Sequence, residues 1–217
     1  MIQCSLVSNK GSLNKARYDR TTMNRYETID QLILDSTRVG SKSLRNLIRL
    51  SHSVSGLQGD IAEVGVYNGG SALLLCRLNP NGHIYLFDTF EGLPEVTKQD
   101  NYHLQGDFND ASERRVKKLL KDYNHWRIYK GTFPADTGKA IENIHFRLVH
   151  LDVNTYTSYR DALQFFYHRM IRDGVIIMDD YGSNYCLGAK KAIDKFIRDK
   201  PERLIIGPER QAHFFKE

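Results

Sequence analysis

Cysteine is scarce and odd in number: Cys4, Cys76 and Cys186 are the only three in 217 residues. Such a set makes a poor disulfide framework and fits a reducing compartment. No apolar run approaches the roughly 18 residues that a membrane-crossing helix needs. The first twenty residues are polar, with Asn, Ser and Lys throughout, and hold no hydrophobic segment of the signal-peptide kind. A cytoplasmic protein with no membrane partner is therefore expected. Internal repeats and low-complexity linkers are also missing. The basic clusters Arg114, Arg115, Lys117, Lys118 and Lys121, and Lys190, Lys191 and Lys195, lack the interleaved aromatics of a nucleic-acid surface. They read as solvated helix faces, in keeping with a net charge of only +5.

What is present is a strand–helix alternation. The length suits one well-packed α/β domain, expected over residues 26–217 after an N-terminal extension, 1–25. Apolar spacing predicts helices over 26–39 and around Leu44, Leu47, Ile48 and Leu50. Strands are predicted at 61–64, 83–87, 126–129, 146–151 and 175–178, the last announced by Asp173-Gly174. Helices fall at 69–78, 111–123, 135–142 and 187–197, and Tyr159, Leu163, Phe166 and Met170 lie at helical spacing. Short strands at 204–206 and 212–215 are candidates for a terminal hairpin. Cys76 and Trp126 read as core. Cys186 follows a loop and has no His or Cys partner at metal-ligand spacing. The alternation implies a mostly parallel sheet with helices on both faces, and ligands bound beyond the carboxyl ends of its strands.

Those strand ends carry the chemistry. The first runs into Gly65-Val66-Tyr67-Asn68-Gly69-Gly70-Ser71, where glycines admit a ligand to the backbone and a helix start offers free N–H groups. It is not the dinucleotide fingerprint, because Tyr67 stands where its second glycine belongs. The second strand ends in Asp88, an acid placed to hydrogen-bond a ribose diol. The fourth and fifth lead into Asp152 and into Asp179-Asp180, one helix apart. Neighbouring strands are about 4.8 Å apart, so these acids can converge. Clustered carboxylates repel unless protonated or bound to a cation, and oxygen-only ligands favour a hard ion such as Mg²⁺ or Ca²⁺. Asp152 and Asn154 fall on one face of an extended chain, as do His150 and Asp152. His150 more readily packs than binds metal. The loop around 95–110, with Tyr102 and His103, is a candidate lid.

The segments 59–71, 87–94 (Phe-Asp-Thr-Phe-Glu-Gly-Leu-Pro), Leu151-Asp152 and 174–182, with Gly106-Asp107-Phe108 and Gly131-Thr132-Phe133 between them, resemble the macrocin O-methyltransferase (TylF-type) family. The resemblance implies a Rossmann-like class I fold that uses S-adenosylmethionine (SAM) and Mg²⁺ to methylate a hydroxyl, often on a sugar. It implies that Glu63, Gly65 and Ser71 surround the methionine and ribose end of SAM, and that Asp88 holds the ribose. Tyr67, Asn68, Gly69, Thr89, Phe90 and Asp107 complete the cofactor's surroundings. Asp152, Asp179 and Asp180 are implied as metal ligands, with Asp152 and position 154 catalytic. The family commonly carries an acid two residues after the first ligand, as general base; this sequence has Asn154. An amide cannot take a proton near neutral pH. Two rival readings follow: a SAM- or nucleotide-binding protein without catalysis, and a nicotinamide-dependent oxidoreductase, against which Tyr67 argues. The expected partner is a sugar-like small-molecule acceptor, and a homo-oligomer is compatible with the sequence.

Overall fold

A computed structural model describes residues 28–217. The expected extension, 1–25, and the first two residues of the helix expected over 26–39 lie outside them. A mostly parallel sheet has the order β3-β2-β1-β4-β5-β7-β6. Its strands are β1 (Asp60–Val64), β2 (Ile84–Asp88), β3 (Trp126–Lys130), β4 (Phe146–Leu151), β5 (Met170–Met178), β6 (Ile205–Ile206) and β7 (Ala212–Phe215). The first five are parallel; β7 runs antiparallel to both β5 and β6, so the terminal hairpin is present. The chain moves outward from β1 to β3 and then returns to place β4 on the other side of β1. That reversal opens a crevice at the carboxyl ends of β1 and β4.

The helices are α1 (Gln31–Leu34), α2 (Ser41–Ser53), α3 (Gly70–Leu78), α4 (Glu113–Leu119), α5 (Tyr156–Tyr167) and α6 (Leu187–Ile197). One core lies on the α2–α3 side of the sheet and holds Leu44, Leu47, Leu50 and Leu74. The other lies under α5 and α6 and holds Tyr159, Leu163, Phe166 and Ile193. Central β4 is buried at all six positions, as a strand covered on both faces must be. Its one arginine is accommodated because Arg147 donates from Nη1 to the Gly59 carbonyl (2.6 Å) and from Nη2 to Asn79 Oδ1 (3.1 Å).

Tertiary contacts redraw several expected boundaries. The helix expected to Val39 is one turn, capped by Asp30 Oδ1 accepting from Ile33 N. Beyond it the chain leaves the helix so that the Ser36 carbonyl can accept from Gly70 N, docking this segment on the start of α3. The helix expected over 135–142 is a 3-10 turn, Gly138–Ile141. Met170 opens β5 opposite Phe146 instead of closing a helix, and Asp173, with φ of 63°, sits inside that strand where the pairing shifts register. Trp126 is half-buried against the core and not within it; Nε1 donates to the carbonyls of Leu120 (3.0 Å) and Tyr123 (2.9 Å), closing the end of α4. Cys76 is core, as expected.

Gly65 fixes the crevice geometry. Its φ is +87°, and a Cβ there would collide with the Asp152 carbonyl. Gly65→Ala is expected to destabilise the fold by about 1–3 kcal/mol from the backbone conformation alone, with the collision adding to it. Gly56→Ala, where a Cβ meets nothing within 4 Å, should change stability by less than about 0.5 kcal/mol. Urea melts of the two variants check this.

Candidate functional site

The crevice is built around one carboxylate. Asp88 Oδ2 accepts from the backbone N–H groups of Val66 and Tyr67, both at 2.8 Å, and Oδ1 accepts from Phe90 N at 2.7 Å. The end of β2 is thereby tied to the glycine turn after β1. Both Tyr67 (φ 53°) and Phe90 (φ 52°) are held in the left-handed region, a costly conformation that needs such anchoring. Burial outweighs these three hydrogen bonds and lifts the Asp88 carboxyl above its ordinary value. A carboxylate offers about four lone-pair directions, and three are taken. Asp88 therefore has room for one ligand hydroxyl, where its sequence position suggested both.

Asp88 borders a cleft of about 790 Å³, open mouth included, which Gly65, Tyr67, Thr89, Asp152 and Asn154 also line. Its walls are largely apolar, with Leu93, Phe108 and Phe133 among them, as in small-molecule sites generally. The loop 89–112 lies over it, folded on itself by Leu93 N donating to the Asp107 carbonyl (2.9 Å) and Gly106 N to the Leu93 carbonyl (3.0 Å). A second, open cavity of about 420 Å³, mouth included, is lined by Tyr102, His103, Asp180, Tyr185 and Cys186, and it shares Asn154 with the first.

Other expected cofactor residues stand away from the cleft wall. Glu63 is fully buried and pairs with His150 Nδ1 at 2.9 Å. Asn68 and Ser71 are buried in the glycine turn and the start of α3, and Gly69, with φ of 93°, caps that helix. The Asp107 carboxylate turns onto its own loop, accepting from Leu104 N (3.0 Å) and lying 3.4 Å from His103 Nδ1.

The acids after β4 and β5 form an electrostatic cluster. Burial and then the charges of Asp180 and Asp179 raise the Asp152 carboxyl well above its ordinary value, and burial followed by Asp179 raises Asp180. No hydrogen bond to the Asp152 carboxylate exists among the described residues. Asp180 Oδ2 accepts from Asn154 N (2.9 Å) and lies 2.8 Å from the Tyr159 hydroxyl; Asp179 Oδ1 accepts from Gln211 Nε2 (2.5 Å). As the side chains stand, no three His, Cys, Asp or Glu among the described residues converge to hold a metal ion. The donor chemistry nonetheless fits one: oxygen-only ligands, mutually repelling carboxyls, and one carboxylate without a partner.

His150 packs rather than facing the cleft. Its Nε2 lies 3.7 Å from Asp179 Oδ1, so the ring bridges Glu63 on β1 and the acid beyond β5. Burial alone would favour the neutral imidazole, but the flanking carboxylates of Asp179 and Glu63 prevail, and its pKa is pushed up to about 10. Asn154 has φ of 61°, so the chain beyond β4 is not extended there; the turn, rather than strand alternation, brings Asn154 beside Asp152. Cys186 proves to be part of the site: Sγ lies 3.6 Å from Asn154 Oδ1 and from Asp180 Oδ1, and 3.4 Å from His103 Nε2. Burial pushes its thiol pKa up, which keeps it a weak donor to these oxygens. His103 arrives with the loop expected as a lid, whereas nothing in the spacing of Arg38 and Gln211 along the chain marks them as neighbours of this crevice.

A family model described as Macrocin-O-methyltransferase (TylF) matches residues 2–204. The chain is 29% identical over 171 residues to 8-demethyl-8-(2,3-dimethoxy-alpha-L-rhamnosyl)-tetracenomycin-C 4'-O-methyltransferase of Streptomyces olivaceus, covering 70% of this chain and 65% of that protein. It is 26% identical over 165 residues to mycinamicin III 3''-O-methyltransferase of Micromonospora griseorubida, covering 67% and 65%. The chain thus spans less than two thirds of the length of these relatives. The solved structure of the O-methyltransferase NovP superposes with a TM-score of 0.72 at 25% identity, over 83% of this chain and 82% of that one. The fold is the Rossmann-like fold of the class I SAM-dependent methyltransferases.

Asp88→Ala strands three backbone donors at about 1–3 kcal/mol for each that water does not reach. It is expected to cost at least about 2 kcal/mol of stability as well as ligand affinity. A denaturant melt of the ligand-free protein checks this, and an unchanged midpoint would contradict the clamp.

Proposed function

The chain belongs to the macrocin O-methyltransferase (TylF) family, and on that premise we propose that it methylates a hydroxyl of a sugar-bearing small molecule, using SAM and assisted by Mg²⁺. The observation that carries this reading is the meeting of two cavities at Asn154. One is a largely apolar cleft with an anchored acid at its edge. The other opens beside Asp180 and is flanked by aromatic rings, with Tyr102 and Tyr185 4.7 Å apart. A two-substrate transfer needs this arrangement, because the reacting atoms must be held together at a junction.

SAM supplies an electrophilic methyl group, and Mg²⁺ supplies Lewis acidity that lowers the pKa of a hydroxyl. The protein's residues do the rest. Asp88 offers its remaining lone pair to a ribose hydroxyl while keeping the glycine turn in shape. Leu93, Phe108 and Phe133 give the cleft apolar walls that would leave little room for water around a bound cofactor and so strengthen electrostatic interactions there. Asp152, Asp179 and Asp180 would hold the cation, with the Asn154 amide oxygen a further hard donor beside them. His150 and Gln211 fix Asp179 from behind, and Tyr159 fixes Asp180. Asn154 orients an acceptor hydroxyl through a hydrogen bond but takes no proton from it.

Isothermal calorimetry should show SAM binding to the wild type. Saturating Mg²⁺ should raise the melting temperature by mass action, and Asp179→Asn, at a residue off the cofactor cleft wall, should weaken that rise while sparing SAM. Identical melts in Mg²⁺ and in chelator would remove the cation from the account. Asn154→Asp introduces a carboxylate at the junction. General-base assistance is worth about 10²–10⁴-fold, so single-turnover methyl transfer at saturating Mg²⁺ should rise with pH through the new acid's titration and exceed the wild-type rate above it. A variant that binds SAM normally yet transfers methyl no faster at any pH would show that position 154 needs no base.

A further inference from the structure

We infer that Arg38 binds the carboxylate of the cofactor's methionine end; this inference rests on the SAM reading above. Arg38, Asp88 and Asp152 are the charged side chains on the cleft wall among the described residues, and Arg38 is the one cation. SAM carries a single anionic group, its α-carboxylate, alongside an ammonium and a sulfonium. Charge complementarity therefore pairs that group with Arg38, since both acids of the wall would repel it.

The guanidinium is already in place to receive it. Its Nη2 donates to the Tyr67 hydroxyl (3.1 Å) and to Asp110 Oδ2 (3.3 Å), and the Tyr67 hydroxyl donates to the same Asp110 oxygen at 2.7 Å. Its central carbon lies 4.8 Å from the centre of the Tyr67 ring and 5.4 Å from that of Phe108. These contacts orient the planar group yet use one nitrogen. Nε and Nη1 have no hydrogen-bond partner among the described residues. Both bidentate edges of a guanidinium include Nη2, so a carboxylate that leaves Asp110 in place is met by a single charge-assisted N–H···O bond from Nη1 or Nε. Tyr67 belongs to the glycine turn that Asp88 anchors, which ties the orientation of Arg38 to the cofactor cleft. The Arg38–Asp110 pair is about half exposed, and an exposed ion pair contributes little to folding, so Arg38 can be replaced without unfolding the chain.

The test compares SAM with decarboxylated SAM, which differs only in lacking the carboxylate, by calorimetry on the wild type, Arg38→Ala and Asp110→Asn. The wild type should bind SAM about tenfold or more tightly than decarboxylated SAM, the range of a lost charge-assisted hydrogen-bonding pair. Arg38→Ala should lose that preference and keep its affinity for decarboxylated SAM within about twofold. Asp110→Asn should retain the preference, because it removes a neighbour of Arg38 and not the cation. An Arg38→Ala variant that weakens both ligands equally, or neither, overturns the assignment while leaving the cofactor reading intact. Loss of the preference in Asp110→Asn to the same extent as in Arg38→Ala would overturn the assignment too, because the cluster would then only shape the cleft. A wild type that binds neither ligand overturns the cofactor reading itself.

Discussion

Three backbone N–H groups converge on the Asp88 carboxylate, and the arrangement of the crevice depends on it. The turn after β1 holds Tyr67 in a left-handed conformation and places Gly69 at the start of α3. Without an acceptor, its N–H groups would be stranded at a partly buried strand edge. With Asp88 in place, the turn becomes a rigid rim. The rim carries the Tyr67 ring, which orients Arg38, and it leaves one lone pair of Asp88 for a ligand. One short side chain thus ties two strand ends together and still borders the cleft, a task that suits an acid of this length at the end of β2.

A second electrostatic element holds the opposite wall. Glu63, His150 and Asp179 run from β1 across β4 to the end of β5, with the imidazole fully buried between two acids. A buried ion pair gains little net stability over an apolar filling. What it provides here is position, because the acid beyond β5 is drawn toward the sheet axis by a charge fixed inside it. Gln211, from the segment leading into β7, holds the same Asp179 oxygen. The antiparallel hairpin therefore reaches the site, although β6 and β7 lie at the sheet edge.

Much of this was legible in the sequence, for physical reasons that differ by element. Strands buried on both faces read as apolar runs, so 61–64 and 146–151 stood out, and the glycines and acids that follow them marked the crevice. The helix expected over 26–39 was overextended because apolar spacing cannot register that the Ser36 carbonyl is claimed by Gly70 N. Asp88 borders the cleft, but position along the chain does not disclose how many of its lone pairs the backbone already uses. Asn154 was expected on an extended face beside Asp152; it reaches the site through a left-handed turn. Arg38 and Asp110, or His103 and Cys186, meet only because distant loops fold over one crevice, and no local spacing announces such pairs.

The central claim is group transfer from SAM to a sugar hydroxyl. Incubating the wild type with SAM radiolabelled in its methyl group, Mg²⁺ and a panel of deoxysugar glycosides tests it most directly. The account predicts label recovered in a glycoside as an alkali-stable methyl ether on a sugar oxygen, with the yield lost in chelator. A protein that binds SAM but leaves every glycoside unlabelled, or that delivers the label to nitrogen or carbon, would contradict it.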